Sequence, residues 1–124
     1  MVNTQDFNNS FYRDIEMVRG DSLCFNFQLQ GLGTQEKYEG LSVELKVAET
    51  YDDSPIIECS IDDGISILNY DSEKDVATFG VYVEPNKTKI LEIERYYYDL
   101  EVSNTDNVIT VLRGRFNVLY DIGG

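Results

Sequence analysis

Apolar side chains recur at every second position in several short blocks, the period of a strand with one face in a core. In the block Leu23-Cys24-Phe25-Asn26-Phe27-Gln28-Leu29-Gln30, the inward set is Leu23, Phe25, Phe27 and Leu29, and the residues between them point the other way. The same alternation returns at Val43, Leu45 and Val47, at Phe79, Val81 and Val83, at Tyr96, Tyr98, Leu100 and Val102, and at Phe116, Val118 and Tyr120. These are five long strands. Shorter candidates rich in β-branched residues cover 13–18, 56–61, 65–69 and 108–112.

Turn formers separate the blocks: Arg19-Gly20-Asp21, Gly31-Leu32-Gly33, Tyr51-Asp52-Asp53-Ser54-Pro55, Asp62-Asp63-Gly64, Tyr70-Asp71-Ser72-Glu73 and Asn104-Thr105-Asp106-Asn107. Glycine supplies positive φ, and Asp and Asn bond their own backbone, so each stretch reverses the chain. Strands joined by turns this short are mostly antiparallel. Arg19-Gly20-Asp21, between Ile15-Glu16-Met17-Val18 and the strand from Leu23, has the setting of a tight hairpin turn. Only the stretch from Pro85 to Glu94 breaks the rhythm, with room for at most one short helical turn opened by Pro85, while Ile90, Leu91 and Ile93 cap an end of the core.

A sheet with one apolar face must bury it, and no long amphipathic helix is available to cover it. A second sheet is the remaining partner. The expected fold is all-β, a two-sheet antiparallel β-sandwich with immunoglobulin-like architecture. It forms one domain over 12–121, after a flexible N-terminal segment over 1–11 and before a C-terminal tail over 122–124.

At 124 residues one core suffices, because folding removes roughly two-thirds of the unfolded chain's surface from water. An apolar fraction of 42% with nine Tyr and six Phe outweighs the tendency of a net charge of -13 to expand the chain. No apolar run approaches the roughly 20 residues of a membrane helix, and the polar start predicts no signal peptide. With 23 acidic against 10 basic side chains the surface repels phosphate backbones, which argues against nucleic acid and against anionic membrane as partners. The same charge steers the protein to basic partners. Cys24 and Cys59 are expected as reduced, half-buried thiols from the low cysteine count; they could pair only if their strands bring the Cα atoms within about 7 Å.

The chain has no histidine, which removes the usual general base and the commonest transition-metal ligand. Carboxylate pairs at Asp52-Asp53, Asp62-Asp63 and Glu92 with Glu94 are too common here to mark a glycosidase. Asp62-Asp63-Gly64 offers oxygen ligands for calcium but lacks the alternating spacing and terminal Glu of a dedicated loop. Arg19-Gly20-Asp21 has the composition of an integrin-binding tripeptide, and the turn reading accounts for it. Tyr96-Tyr97-Tyr98 puts two tyrosines on one strand face and Tyr97 on the other, which fits a core pair better than a stacking platform. No catalytic, cofactor-binding or metal-ligating residue is assigned, no cofactor is expected, and the chain is read as a non-enzyme.

Three pieces, in order, resemble a module of tailed-phage and prophage structural proteins, similar to the N-terminal domain of the baseplate upper protein family. They are Arg19-Gly20-Asp21-Ser22 with the strand from Leu23 to Leu29; the strand from Val76 to Val83 leading into Glu84-Pro85-Asn86-Lys87-Thr88; and Tyr96-Tyr97-Tyr98-Asp99-Leu100-Glu101-Val102 followed by Val111-Leu112-Arg113-Gly114-Arg115-Phe116-Asn117-Val118. The stretch from Gly31 to Gly40 is polar where that family runs apolar. The resemblance implies a non-catalytic assembly module of a phage baseplate or tail, located in the virion and assembled in the host cytoplasm. Its partners would be other tail or baseplate proteins or further copies of itself. The alternative is a stand-alone carbohydrate-binding or host-adhesion domain, calcium-assisted in one version, with an aromatic site centred on Tyr97, Tyr82 or Tyr51.

Overall fold

The computed structural model describes residues 11–120. The expected loose segment over 1–11, apart from its last residue, and the tail over 122–124 lie outside them. The order of elements is β1 (Phe11–Tyr12), β2 (Ile15–Val18), β3 (Leu23–Gln30), α1 (Gln35–Glu39), β4 (Ser42–Ala48), β5 (Ile57–Ile61), β6 (Gly64–Asp71), β7 (Val76–Val83), α2 (Pro85–Thr88), β8 (Arg95–Ser103) and β9 (Val108–Leu119). The chain is all-β, as its alternation dictates.

Hydrogen bonding runs in the order β1-β9-β8-β4-β5-β6-β7-β3, with β2 also paired to β9. The two expected sheets are therefore joined into one nearly closed, barrel-like sheet. The join is a corner between β5 and β6, where Ser60 and Asp63 exchange backbone hydrogen bonds of 3.0 and 2.9 Å. Asp62 there adopts a left-handed φ of 67°. Gly64 follows at φ 96°, where a Cβ would come within 2.8 Å of the Tyr82 carbonyl oxygen. Only glycine fits so close an approach. On either side of the corner the strands run in the order β6–β7–β3 and β5–β4–β8–β9.

Pairing is antiparallel except at β1 and β2 against β9 and at the two-residue step between β5 and β6. Inward residues of both groups share one core, including Phe27, Leu29, Val43, Leu45, Phe79, Val81, Tyr98, Leu100 and Phe116. Phe27 and Phe79 face each other in register, and their rings stack at 5.1 Å with 7° between planes.

Four expectations are corrected. The segments over 108–112 and from Phe116 belong to one long strand, β9, whose register against β8 shifts between Leu100 and Glu101, so Val111 and Leu112 are both buried. The Arg19-Gly20-Asp21 turn forms, with the Val18 carbonyl accepting from the Asp21 N–H at 3.0 Å. It links two edges rather than making a hairpin, because β2 pairs with β9 and β3 with β7. There is a second short helix, α1, besides the expected one at Pro85. One turn is too short to show a helical period, and it is held by its single buried residue, Tyr38. Of the three residues expected to cap the core after α2, only Leu91 is buried; Ile90 and Ile93 are exposed.

No helix among the described residues is long and apolar enough to cross a membrane. Both cysteines are free thiols: Cys24 is exposed on β3, and Cys59 points inward from β5, where burial pushes its pKa up.

Candidate interaction surfaces

The outward faces of the two strand groups differ sharply in charge. On β3, β7 and β6, register places Cys24 beside Tyr82, Asn26 beside Gly80 and Ser66, and Gln28 beside Thr78 and Asn69. None of these carries a charge at neutral pH. Leu68, 57% exposed, lies over Gly80, and Tyr82 is 49% exposed. The first charged side chain in this lattice is Asp71 at the last residue of β6, where it accepts from the backbone N–H groups of Glu73 and Lys74.

The opposite face carries the charge. One cross-strand row runs Glu58, Lys46, Asp99, Arg113, Tyr12 through β5, β4, β8, β9 and β1. A second row brings Ser60, Glu44, Glu101 and Thr110 together. Opposite charges stand beside each other in the first row, yet the ion pair that forms is Lys46 with Glu44, at 3.7 Å.

Arg113 is held by stacking instead. Its guanidinium lies 4.2 Å from the centre of the Tyr51 ring and 5.8 Å from that of Tyr12. Tyr51 also meets Tyr97 at 5.0 Å between ring centres. Of the three expected aromatic positions the fold thus unites Tyr51 and Tyr97 and leaves Tyr82 on the other face. Tyr12 and Arg113, absent from that expectation, complete the cluster; their pairing across β1 and β9 depends on a parallel register that alternation alone does not reveal. Its three tyrosines, Tyr12, Tyr51 and Tyr97, wall a shallow groove of about 430 Å³ with Asp14, Gly114 and Arg115.

Arg113 Nε and Asp99 Oδ1 are buried without a hydrogen-bond partner. Burial raises the Asp99 pKa, against the opposing pull of Lys46 and Arg113.

Among the described residues no group of three or more Cys, Asp or Glu side chains is placed to hold a metal ion. In the candidate calcium loop, Asp63 lies 3.7 Å from the Lys87 ammonium. In the candidate adhesion turn, an Arg19 guanidinium N–H donates to the Lys89 carbonyl at 3.3 Å, and the group lies 5.8 Å from the Tyr120 ring. The buried Thr88 hydroxyl donates to the Asp21 carbonyl at 2.7 Å, tying α2 to that turn. These contacts give the tripeptide a structural role.

Tyr96 and Tyr98 are core residues with bonded hydroxyls. The Tyr96 hydroxyl accepts from the Glu92 N–H at 2.8 Å, and that of Tyr98 donates to the Arg13 carbonyl at 2.7 Å.

No protein-family model matches the chain, and no curated protein is similar to it.

Proposed function

We propose that this chain is a non-catalytic assembly module, a structural component of a phage or prophage tail or baseplate that works by contact with other virion proteins. The observation that supports this reading is the uncharged outward face of β3, β7 and β6 in a chain of net charge -13. Charge repels and must be desolvated at an interface, so interface centres are depleted of it and rich in residues such as tyrosine. The phage assignment comes from the order of the three resembling segments. On this reading the protein works in the virion after assembly in the host cytoplasm.

The test is co-expression with the products of the adjacent genes. The expected result is a complex of fixed stoichiometry that Tyr82→Glu abolishes and Glu101→Gln leaves intact. A complex indifferent to Tyr82→Glu removes this face from the account, and neighbours that bind nothing remove the assembly reading.

A second reading, a carbohydrate-binding or host-adhesion domain, draws on the Tyr51, Tyr97 and Tyr12 cluster, because sugar rings stack on exposed aromatic side chains. A glycan array probes it: binding lost in Tyr97→Ala favours this reading, and an array without signal eliminates it.

A further inference from the structure

We propose that the groove walled by Tyr12, Tyr51 and Tyr97, together with the acidic pocket beside it, holds an extended, basic, proline-containing segment of a partner protein. Its prolines lie on the tyrosine rings and a lysine or arginine enters the pocket. This goes beyond the assembly reading, because it gives the charged face a contact of its own, apart from the uncharged face of β3, β7 and β6.

Tyr51 and Tyr97 belong to the walls of both depressions, the groove and a second pocket of about 260 Å³. Asp53, Glu58 and Asp99 are among the carboxylates of that pocket, and Lys46 is its one cation. Lys46 pairs elsewhere, with Glu44 at 3.7 Å, and none of these three carboxylates has an ion-pair partner among the described residues. Asp99 Oδ1 is buried without a donor, although the cross-strand row sets Lys46 on one side of it and Arg113 on the other. An ammonium or guanidinium group entering the pocket offsets the crowded negative charge and supplies donors. Such charge-assisted hydrogen bonds are roughly twice as strong as neutral ones.

The tyrosine rings of the groove are held in place while still exposed. Tyr51, 42% exposed, donates its hydroxyl to the Gly114 carbonyl at 3.2 Å, has the Arg113 guanidinium 4.2 Å from its ring centre and meets Tyr97 at 5.0 Å. Tyr12 is 75% exposed. Rings fixed beforehand lose little freedom when a ligand settles on them. Flat aromatic walls suit a polyproline II segment, whose shape is likewise set before binding. Its carbonyls have no internal hydrogen bonds and need donors. Arg115, exposed in the wall of the groove, and the hydroxyls of Tyr12 and Tyr97 can supply them.

Charge selects the occupant. A neutral glycan makes no use of the unpaired carboxylates and an acidic one is repelled by them, whereas a net charge of -13 steers a basic segment toward this chain. The segment does not come from the chain itself or from a second copy. Residues 1–10 hold no Lys, Arg or Pro, and the two prolines are committed to the fold, Pro55 in the pocket wall and Pro85 at the start of α2.

The experiment is fluorescence anisotropy of the full chain with a dye-labelled synthetic peptide of repeated Pro-Pro-Arg, beside Pro-Pro-Glu and Gly-Ser-Arg repeats of the same length. The expected result is saturable binding of the first peptide alone, weakened by salt. Asp99→Asn combined with Glu58→Gln should weaken it about tenfold or more, and Tyr97→Ala should weaken it as well. Tyr82→Glu, on the other face, should leave it unchanged. Thermal melts of each variant separate lost binding from lost folding. No binding of the Pro-Pro-Arg peptide overturns the proposal. So does equal binding of the Gly-Ser-Arg peptide, which would reduce the attraction to net charge, and so does binding indifferent to the Asp99 and Glu58 substitutions in a folded variant. A glycan-array signal lost in Tyr97→Ala, with no peptide bound, also overturns it and gives the groove to the sugar reading. Each of these failures leaves the assembly reading standing, since that reading is tested by Tyr82→Glu on complexes held through the uncharged face.

Discussion

The Tyr98 hydroxyl reaches from the core of β8 to the Arg13 carbonyl, between β1 and β2, at 2.7 Å. Burial pushes the Tyr98 pKa up to about 12, against the opposing charge of Arg13. A folded value above the unfolded one means the folded state holds its proton longer. The stability contributed is complete below about pH 10 and is lost as pH rises toward 12. Tyr98→Phe should cost about 1 kcal/mol at pH 7, the usual net worth of such a bond. It should also flatten the fall in urea midpoint above pH 10. An alkaline slope equal to wild type would show that Tyr98 does not titrate with unfolding.

Gly114 stands opposite Tyr98 in the ladder, where a Cβ would approach the Arg13 carbonyl carbon to 2.8 Å. Backbone cannot swing aside as a side-chain end can. Gly114→Ala should therefore cost about 1 to 3 kcal/mol, as other overpacked sites do. It should also push Arg13 away from Tyr98. Combined with Tyr98→Phe, the loss should be smaller than the two single losses added, because both act on one contact. Additive urea midpoints would separate the two residues.

What alternation could and could not reveal follows from the range of the forces. A two-residue period fixes which side chains of β3, β4, β7 and β8 face inward, because that choice is local and is enforced by one shared core. Which strands become neighbours depends on contacts far apart in sequence. The parallel pairing of β1 and β2 with β9, and with it the Tyr12–Arg113 stack, was therefore not legible. Asp75 illustrates the same limit. Nothing in the alternation singles it out, yet its Oδ2 accepts from the Gly33 N–H at 2.8 Å and its Oδ1 from the Tyr70 hydroxyl at 3.2 Å. The Tyr38 hydroxyl donates to it as well, which fixes α1 against the β6–β7 turn. The uncharged outer face was visible strand by strand. Only the register of β3, β7 and β6 assembles it into a surface.

Phe79→Ala removes one half of the stacked pair with Phe27 and leaves a cavity in a fully buried site. A loss of about 3 to 5 kcal/mol is expected. Phe25, which the alternation groups with Phe27, is only partly buried, so Phe25→Ala should cost clearly less. Equal losses in urea melts would mean that Phe25 is covered in solution.

Asp99 sits between Lys46 and Arg113 in the cross-strand row, but Lys46 pairs with Glu44 and Arg113 stacks on Tyr51. Its Oδ1 is left buried without a donor, and burial raises its pKa. For a carboxyl group a raised folded value means that the ionised form opposes folding at neutral pH. The deficit shrinks as pH falls through the folded value and is gone below the unfolded value of about 3.9. Asp99→Asn keeps the shape and deletes the charge, so the variant should melt higher than wild type at pH 7. The difference should disappear by about pH 3, where Asp99 is protonated in both states. A variant that melts lower at pH 7 would mean that Lys46 or Arg113 turns to Asp99 in solution, in which case the row is an ion-pair ladder and Tyr51 loses its cation.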